Sequence, residues 1–463
     1  MWNPCFPNLI KIESSYKKCR ILQKMKLDMI DRPIYLQKLI NSKDNGFPKV
    51  ITGLRRCGKS YLLTDIYPLY LRDEEGIEED FILYIALDDD KNEELRDPIE
   101  LGSRIRSMTA DKNKRYYVFL DEIQKVFTIV NPKLTDGKHV LATEKDSEVI
   151  SFVDVVLGLS REKNIDLYVT GSNSKMLSSD IISEFRDKAT EIHVQPLSFA
   201  EYHTYSKQDP LVDYFEYALH GGMPLAVLKN GSEKEEYLSS LFKKTYFKDI
   251  LEHHHFRKDE VLDEACTFLS QTVGQLLNVV KLADRMRSEK KASISRVAIS
   301  DYVDAFEDAF LIRKAERFDL KGGAIIGATR KYYFADTGLR NARLGFAFPD
   351  MGQVMENIIF NELLYHGYQV SIGCFDTVEK KNGESVRVSH EVDFYAKRPD
   401  GDLYIQSCYS IGDANVKARE KRPFDLLHDS RRKVIVVADP IPPSKTEEGY
   451  EILNITDFLL GLH

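Results

Sequence analysis

The sequence has no run of apolar residues approaching the roughly 18–20 that a membrane-crossing helix needs. None of its six cysteines, Cys5, Cys19, Cys57, Cys266, Cys374 and Cys408, stands in a C-x-x-C spacing. That scatter speaks against a disulfide scaffold or a zinc site and suits a reducing cytosol. Excess positive charge is missing too: 65 Lys and Arg stand against 73 Asp and Glu, a net charge of −8. Binding of nucleic acid or membranes by bulk charge is thereby excluded, and only a local basic groove stays open. Internal repeats and low-complexity tracts are absent. The first thirty residues are basic (Lys11, Lys17, Lys18, Arg20, Lys24, Lys26) but lack the apolar core of a signal peptide. A disordered tail is expected over 1–30, with Met25 or Met29 as the natural start, and a cytoplasmic location.

What is present is the composition of a folded protein, 43% hydrophobic and 30% charged over 463 residues, enough for two to four domains. From Val50 the order is strand, glycine loop, helix: Lys49–Thr52 leads into Gly53–Ser60, and Tyr61-Leu62-Leu63 continues as a helical face. Apolar strands follow at Phe81–Leu87, Tyr116–Leu120 and Leu167–Thr170, with a helix near Phe152–Leu159 and an irregular insertion at Asp136–Ser147. Strands alternating with helices predict a parallel α/β sheet. Residues 199–300 read as mostly helical, broken at Gly221-Gly222-Met223-Pro224. A helix over Ser293–Phe310 would present Val297, Ile299, Tyr302, Val303, Phe306 and Phe310. From Lys331 strands return at Tyr332–Phe334, Glu391–Ala396, Leu403–Cys408 and Lys433–Ala438, around a helix at Met351–His366.

The most informative motif is Gly53-Leu54-Arg55-Arg56-Cys57-Gly58-Lys59-Ser60, a match to G-x-x-x-x-G-K-[ST]. Such a loop curls so that successive N–H groups face phosphate oxygens, and the helix behind it presents its positive end to the same anion. Lys59 is expected to reach the β- and γ-phosphates of ATP, and Ser60 to ligate Mg²⁺. Gly53, Arg55, Arg56, Cys57, Gly58 and Tyr61 complete the expected nucleotide cradle. Cys57, at a helix N-terminus, raises the idea of redox control, but the motif leaves that position free and a tolerated small residue explains it better.

The strand Tyr116–Leu120 ends in Asp121-Glu122, the Walker B pattern, with Asp121 expected on Mg²⁺ and Glu122 orienting the attacking water. After the strand Leu167–Thr170, Ser172 or Asn173 is a candidate γ-phosphate sensor, with a plain strand cap as the alternative. The run His253-His254-His255 is no metal site, because adjacent residues diverge on a helix.

In this order the motifs resemble the prokaryotic AAA-type ATPases that carry a C-terminal restriction-nuclease-like domain of unknown function. The resemblance rests on Arg32-Pro33-Ile34-Tyr35-Leu36, the phosphate loop, Leu120–Gln124, Thr170–Ser174, Pro196-Leu197-Ser198-Phe199, Gly221–Pro224, Tyr333–Leu339, Glu356-Asn357 and Glu391–Phe394. Beyond the basic tail over 1–30, which it does not cover, it implies a P-loop ATPase domain over 31–205, a helical and winged-helix-like region over 206–325, and a restriction-endonuclease-like α/β domain over 326–463.

The family's usual Phe-Arg-Gly-Arg is here Phe185-Arg186-Asp187-Lys188. Arg186 is thereby an arginine-finger candidate that would act from a neighbouring subunit, and a solvated helix-end charge is the alternative. The winged-helix-like segment, Asp259–Lys321, offers Arg285, Arg287, Lys290, Lys291 and Arg296 to DNA. Its charge is weak: ten Lys and Arg against eight Asp and Glu between Lys281 and Lys321. In the last domain Glu356 and Asp393 match the family's nuclease carboxylates. Gln406 and Cys408, however, stand where a Glu-x-Lys pair belongs, which predicts a catalytically degenerate site.

The expected activity is ATP hydrolysis driving conformational change, in a chain open to self-association and to a DNA or protein partner through the middle and C-terminal regions, without membrane contact. An ATP-gated nucleic-acid enzyme and a slow-turnover nucleotide sensor are the alternatives.

Overall fold

A computed structural model describes residues 30–143, 145–171, 188–247, 250–251, 259–278, 280, 282–284, 286, 295–347, 350–381 and 384–462. Its N-terminal half is built on strands β1 (Lys49–Gly53), β2 (Ile82–Ala86) and β3 (Tyr116–Asp121), a short hairpin of β4 (Ile129–Val130) and β5 (Val149–Ile150), then β6 (Ile165–Thr170) and β7 (Thr190–Val194). The main sheet has the order β2-β3-β6-β1-β7, with every pair parallel. β1, β3 and β6 are buried at every position, as strands covered on both faces must be, and this explains their unbroken apolar reading. The order puts the carboxyl end of β1 next to that of β6, and β6 next to β3. Phosphate loop, Thr170 and Asp121 therefore share one edge.

Helices Phe199–Ser206, Pro210–His220, Pro224–Val227, Ser232–Leu241, Asp259–Gln271 and Arg296–Asp308 follow. In the last of these Ile299, Tyr302, Val303 and Phe306 are buried as the spacing predicts. Val297 is exposed and Phe310 lies beyond the helix at φ +54, because the helix stops at Asp308.

A second sheet contains β8 (Ile312–Asp319), β9 (Ala324–Phe334), β10 (Gln369–Lys381), β11 (Glu384–Lys397), β12 (Leu403–Cys408), β13 (Arg432–Val437), β14 (Ser444–Lys445) and β15 (Glu451–Asn454). Its order is β14-β15-β13-β12-β11-β10-β8-β9, mixed parallel and antiparallel. The boundary of the C-terminal unit expected at 326 falls inside β9, and β8 before it already pairs with β9 and β10. The alternation in Ile-Arg-Lys-Ala-Glu-Arg-Phe-Asp is too charged to announce a strand. The hairpin that would serve as a wing after Arg296–Asp308 thus belongs to the second sheet.

One apolar cluster runs through both halves, from Tyr35 and Leu39 through Phe199 and Tyr217 to Phe360, Ile405 and Leu459. Helix Met351–Tyr365 is central to this joint. Asn357 grips β9 from it, its Oδ1 accepting the Phe334 N–H at 2.9 Å while its Nδ2 donates to the Phe334 carbonyl at 2.7 Å. Among the described residues no helix is long and apolar enough to cross a membrane.

Candidate nucleotide site and C-terminal carboxylate cluster

The phosphate loop begins where β1 ends. Gly53 adopts φ +133, and a Cβ there would overlap the Val194 carbonyl oxygen of β7, so no other residue fits. Lys59 is buried, with Nζ donating to the carbonyls of Gly53 (3.0 Å) and Leu54 (3.1 Å). Arg55 is half-buried, Arg56 exposed at φ +62, and Ser60 exposed at the start of the following helix. That helix widens into a π turn over Leu62–Ile66. Burial, with Asp65 and Asp31 nearby, pushes the Tyr61 phenol up to about 12 and keeps it neutral. Cys57 is fully buried, its Sγ on the Val194 carbonyl at 3.3 Å, which is a packing role and leaves no exposed thiol for redox chemistry.

The end of β3 supplies the acidic pair. Asp121 is buried and held from three sides: Thr170 Oγ1 donates to Oδ1, the Glu122 N–H reaches the same oxygen at 3.2 Å, and Tyr84 OH donates to Oδ2 at 2.7 Å. Tyr84 is thereby pushed well above the usual phenol range, by burial first and then by the Asp121 carboxylate. Glu122 sits at φ +54, ψ 46, a costly backbone conformation for a glutamate, and Gln124 Nε2 donates to its Oε2. The surroundings therefore fix the direction of both carboxylates.

Thr170 and Tyr84 were not singled out from the sequence. The β3–β6 register, Leu120 opposite Val169, is what makes Thr170 the neighbour of Asp121. Ser172, Asn173 and Arg186 lie outside the described residues, as do His253-His254-His255, Arg285, Arg287, Lys290 and Lys291. Asp121 and the Ser60 hydroxyl are hard oxygen donors of the kind Mg²⁺ takes, and the donors around Asp121 leave lone pairs free for it.

The motifs outside the phosphate loop converge on its back. Ser198 and Glu201 form a capping box at the start of Phe199–Ser206, which explains Pro-Leu-Ser-Phe. Gly222 donates its N–H to Asp336 Oδ2 at 2.7 Å, and its Cα lies so close to the Leu197 carbonyl that a side chain cannot enter. Asp336 also caps Thr337–Arg343 through the Leu339 N–H, and burial, opposed by these N–H donors, raises its pKa to about 6. From β8, Arg313 donates to Nε2 of His193, held neutral by burial and by that guanidinium; its Nδ1–H is then left for Thr52 Oγ1 at 2.9 Å. Thr52 is the residue before Gly53.

In the C-terminal unit Glu356 and Asp393 do come together, around a cation the sequence reading did not include. Lys331 Nζ of β9 lies 3.0 Å from Glu356 Oε1, 2.9 Å from Glu391 Oε1 and 3.6 Å from Asp393 Oδ1. Burial disfavours the ammonium, but Glu356, Asp393 and Glu391 outweigh it and raise its pKa. Glu356 is pushed up to about 7 by burial, despite Lys331 and the Tyr333 hydroxyl at 2.7 Å. Gln406 points elsewhere: its Oε1 accepts the Asp393 N–H at 2.8 Å and its Nε2 donates to Glu420 at 3.2 Å. Cys408 is buried, with Sγ on the Ser410 carbonyl at 3.1 Å. Among the described residues no group of three or more His, Cys, Asp or Glu side chains is arranged to hold a metal ion. The sequence signal for Lys331 was its place immediately before Tyr332-Tyr333-Phe334, two residues of strand register from Tyr333, on the same face.

Residues 45–203 match the model of an AAA domain, and residues 211–350 that of a domain of unknown function, DUF8612. An uncharacterized protein of Methanocaldococcus jannaschii is 27% identical over 93% of this chain and 88% of its own length. Among solved structures, the Aeropyrum pernix ORC2 protein overlaps 72% of this chain and 93% of its own at 11% identity and a TM-score of 0.37. Cdc6p from Pyrobaculum aerophilum overlaps 73% and 95% at 11% identity and a TM-score of 0.27. Scores of that size do not extend to function. An uncharacterized protein of Haemophilus influenzae is 31% identical over 439 residues, 93% of this chain and 99% of that protein. With its AAA domain joined to a second α/β unit, the chain belongs to the family of that Haemophilus influenzae protein.

Proposed function

We propose that the chain binds and hydrolyses ATP and that the nucleotide cycle alters how the second unit is held. The observation that carries this reading is the phosphate loop on β1 beside a buried, triply held Asp121 and a neighbouring Glu122 at the end of β3. Lys59 would exchange its two loop carbonyls for phosphate oxygens, and Glu122 would orient water in line with the γ-phosphorus. Water oxygen then bonds to that phosphorus as its proton passes to the Glu122 carboxylate, the bond to the β–γ bridging oxygen breaks, and ADP leaves with that bond's electron pair. Ser60 and Asp121 would hold Mg²⁺, which neutralises charge on the phosphates. Action of Arg186 across a subunit boundary, a winged-helix role for the middle region and a restriction-endonuclease ancestry for the last belong to the same proposal. Phosphate release by the purified chain and by Glu122→Gln tests it. A fall of roughly 10²–10⁴-fold is expected, and an unchanged rate would remove Glu122 from the assigned role.

A second reading, ATP-gated nucleic-acid cleavage, is favoured by one observation: Lys331 supplies the ammonium that Cys408 does not. Plasmid nicking that needs ATP and is lost in Asp393→Ala would establish it. The first reading stands ahead because Lys331 fills the centre of the carboxylate cluster.

A further inference from the structure

A phosphate loop turns its N–H groups inward toward the anion, which leaves carbonyl groups facing out. The outward Cys57 carbonyl accepts a hydrogen bond from Arg32 Nη1 at 3.0 Å. The same nitrogen lies beside Gly58, 3.4 Å from where a Cβ would stand, so a side chain there would crowd the guanidinium. The rest of the guanidinium is committed as well. Nη2 donates to the Gln195 carbonyl at 2.6 Å and Nε to Glu201 Oε1 at 3.0 Å. Arg32 is buried, which disfavours its charge, but Glu201 together with Tyr35, Tyr365 and Cys57 outweighs that burial and keeps the guanidinium charged. The three acceptors are met by three different nitrogens of one planar fork, a spread that the single nitrogen of a lysine does not reproduce.

Glu201 is the point where the second unit enters. Its Oε2 accepts the Ser198 N–H at 3.0 Å, while Oε1, already bound to Arg32, also accepts Tyr365 OH at 2.6 Å. Tyr365 is the last residue of helix Met351–Tyr365, whose other face carries Glu356 and the Lys331 cluster. The Tyr365 ring meets Tyr35 edge-on at 5.6 Å, and Tyr35 OH accepts the Gln195 N–H at 2.9 Å. Two connected routes thus run from this helix to the back of the phosphate loop.

We propose that Arg32 is a positioning residue for the phosphate loop and that the Tyr365 hydroxyl makes its grip depend on docking of helix Met351–Tyr365. The second unit then sets the affinity for ATP, and by reciprocity ATP strengthens the docking. The inference rests on the ATP-binding reading. Removing the hydroxyl takes one of the donors from Oε1 of Glu201 and loosens the guanidinium; the loop's N–H groups lose alignment, and Asp121 and Glu122 are untouched.

The experiment uses the full chain, titrated with a fluorescent ATP analogue and assayed for steady-state phosphate release. Tyr365→Phe keeps the ring on Tyr35, so it is the deciding variant. It should raise Kd and KM roughly 3- to 10-fold, the size of one ordinary hydrogen bond's net contribution, with kcat within about twofold. Arg32→Lys should raise KM further. Tyr404→Phe deletes a hydroxyl bound to Asp429 in the second sheet and should leave KM unchanged. Equal KM in Tyr365→Phe and wild type overturns the inference, and so does an equal rise in Tyr404→Phe, which would mean general loosening. A wild-type chain that does not bind the analogue instead overturns the ATP-binding reading itself.

Discussion

Replacing Glu362 by glutamine is expected to stabilise the protein at pH 8 and to leave its stability unchanged near pH 4.5. Glu362 lies on helix Met351–Tyr365 and is 1% exposed. Its Oε1 accepts the Phe199 N–H, and Oε2 lies 3.9 Å from His366 Nε2. Burial raises its pKa from 4.5 to about 8, opposed by the Phe199 hydrogen bond and assisted by the like charge of Glu201. Between those two values the folded chain keeps a proton that the unfolded chain has released, so stability falls as pH rises. At about 1.4 kcal/mol per pH unit, the fully realised shift removes about 5 kcal/mol by pH 8. Below pH 4.5 both states are protonated and the contribution vanishes.

Glutamine keeps the shape, can accept from Phe199 and does not titrate. The gap between variant and wild type should therefore open with pH, reaching roughly 5 °C in melting temperature at pH 8 for a chain of 463 residues. Calorimetry at about pH 5, 6.5 and 8 reads it directly. Asp336 and Glu356 titrate in the same window, but both proteins contain them and they cancel in the difference. A gap that stays constant across this range would refute the burial argument.

Further consequences follow from the two sites. Gly53→Ala should abolish nucleotide binding and lower the melting temperature, because the added methyl overlaps the Val194 carbonyl; retained binding in a fluorescence titration would contradict this. Tyr84→Phe should cut kcat or Mg²⁺ affinity by roughly 10-fold, the usual cost of losing a group that orients a metal-binding carboxylate. A Mg²⁺ titration of phosphate release decides it. Lys331→Met leaves Glu356, Glu391 and Asp393 facing one another and should cost about 3–5 kcal/mol at pH 8. That loss should shrink toward pH 5 as Glu356, already at about 7 in the native protein, takes up a proton; a loss that grows in acid would rule out this account.

Local pattern carried much of this into view. The phosphate loop and Asp121-Glu122 were legible because their chemistry lives in contiguous residues on fully buried strands. Thr170 and Tyr84 were not, since their bonds to Asp121 depend on strand order, which spans 49 and 37 residues of sequence. Arg32 could be recognised as part of a repeated family phrase, but its partners Cys57 and Glu201 lie 25 and 169 residues away. Gln406 and Cys408 predicted a site without a lysine. The ammonium that occupies it comes from β9, a strand that no spacing rule ties to β12. The same distance effect hid β8, whose charged alternation makes sense only once β10 lies beside it.

The shared apolar core has a consequence for synthesis. Helix Ile455–Gly461 packs on Phe199–Ser206 and Pro210–His220, and Ile455, Phe458 and Leu459 join the cluster that contains Phe199 and Tyr217. Leu459 is made 260 residues after Phe199. At about 5–20 residues per second, the first half waits roughly 13–50 s on the ribosome with that apolar face uncovered. A nascent chain in this state is a natural client for chaperones, and a chain cut before residue 455 would keep the same face open for good.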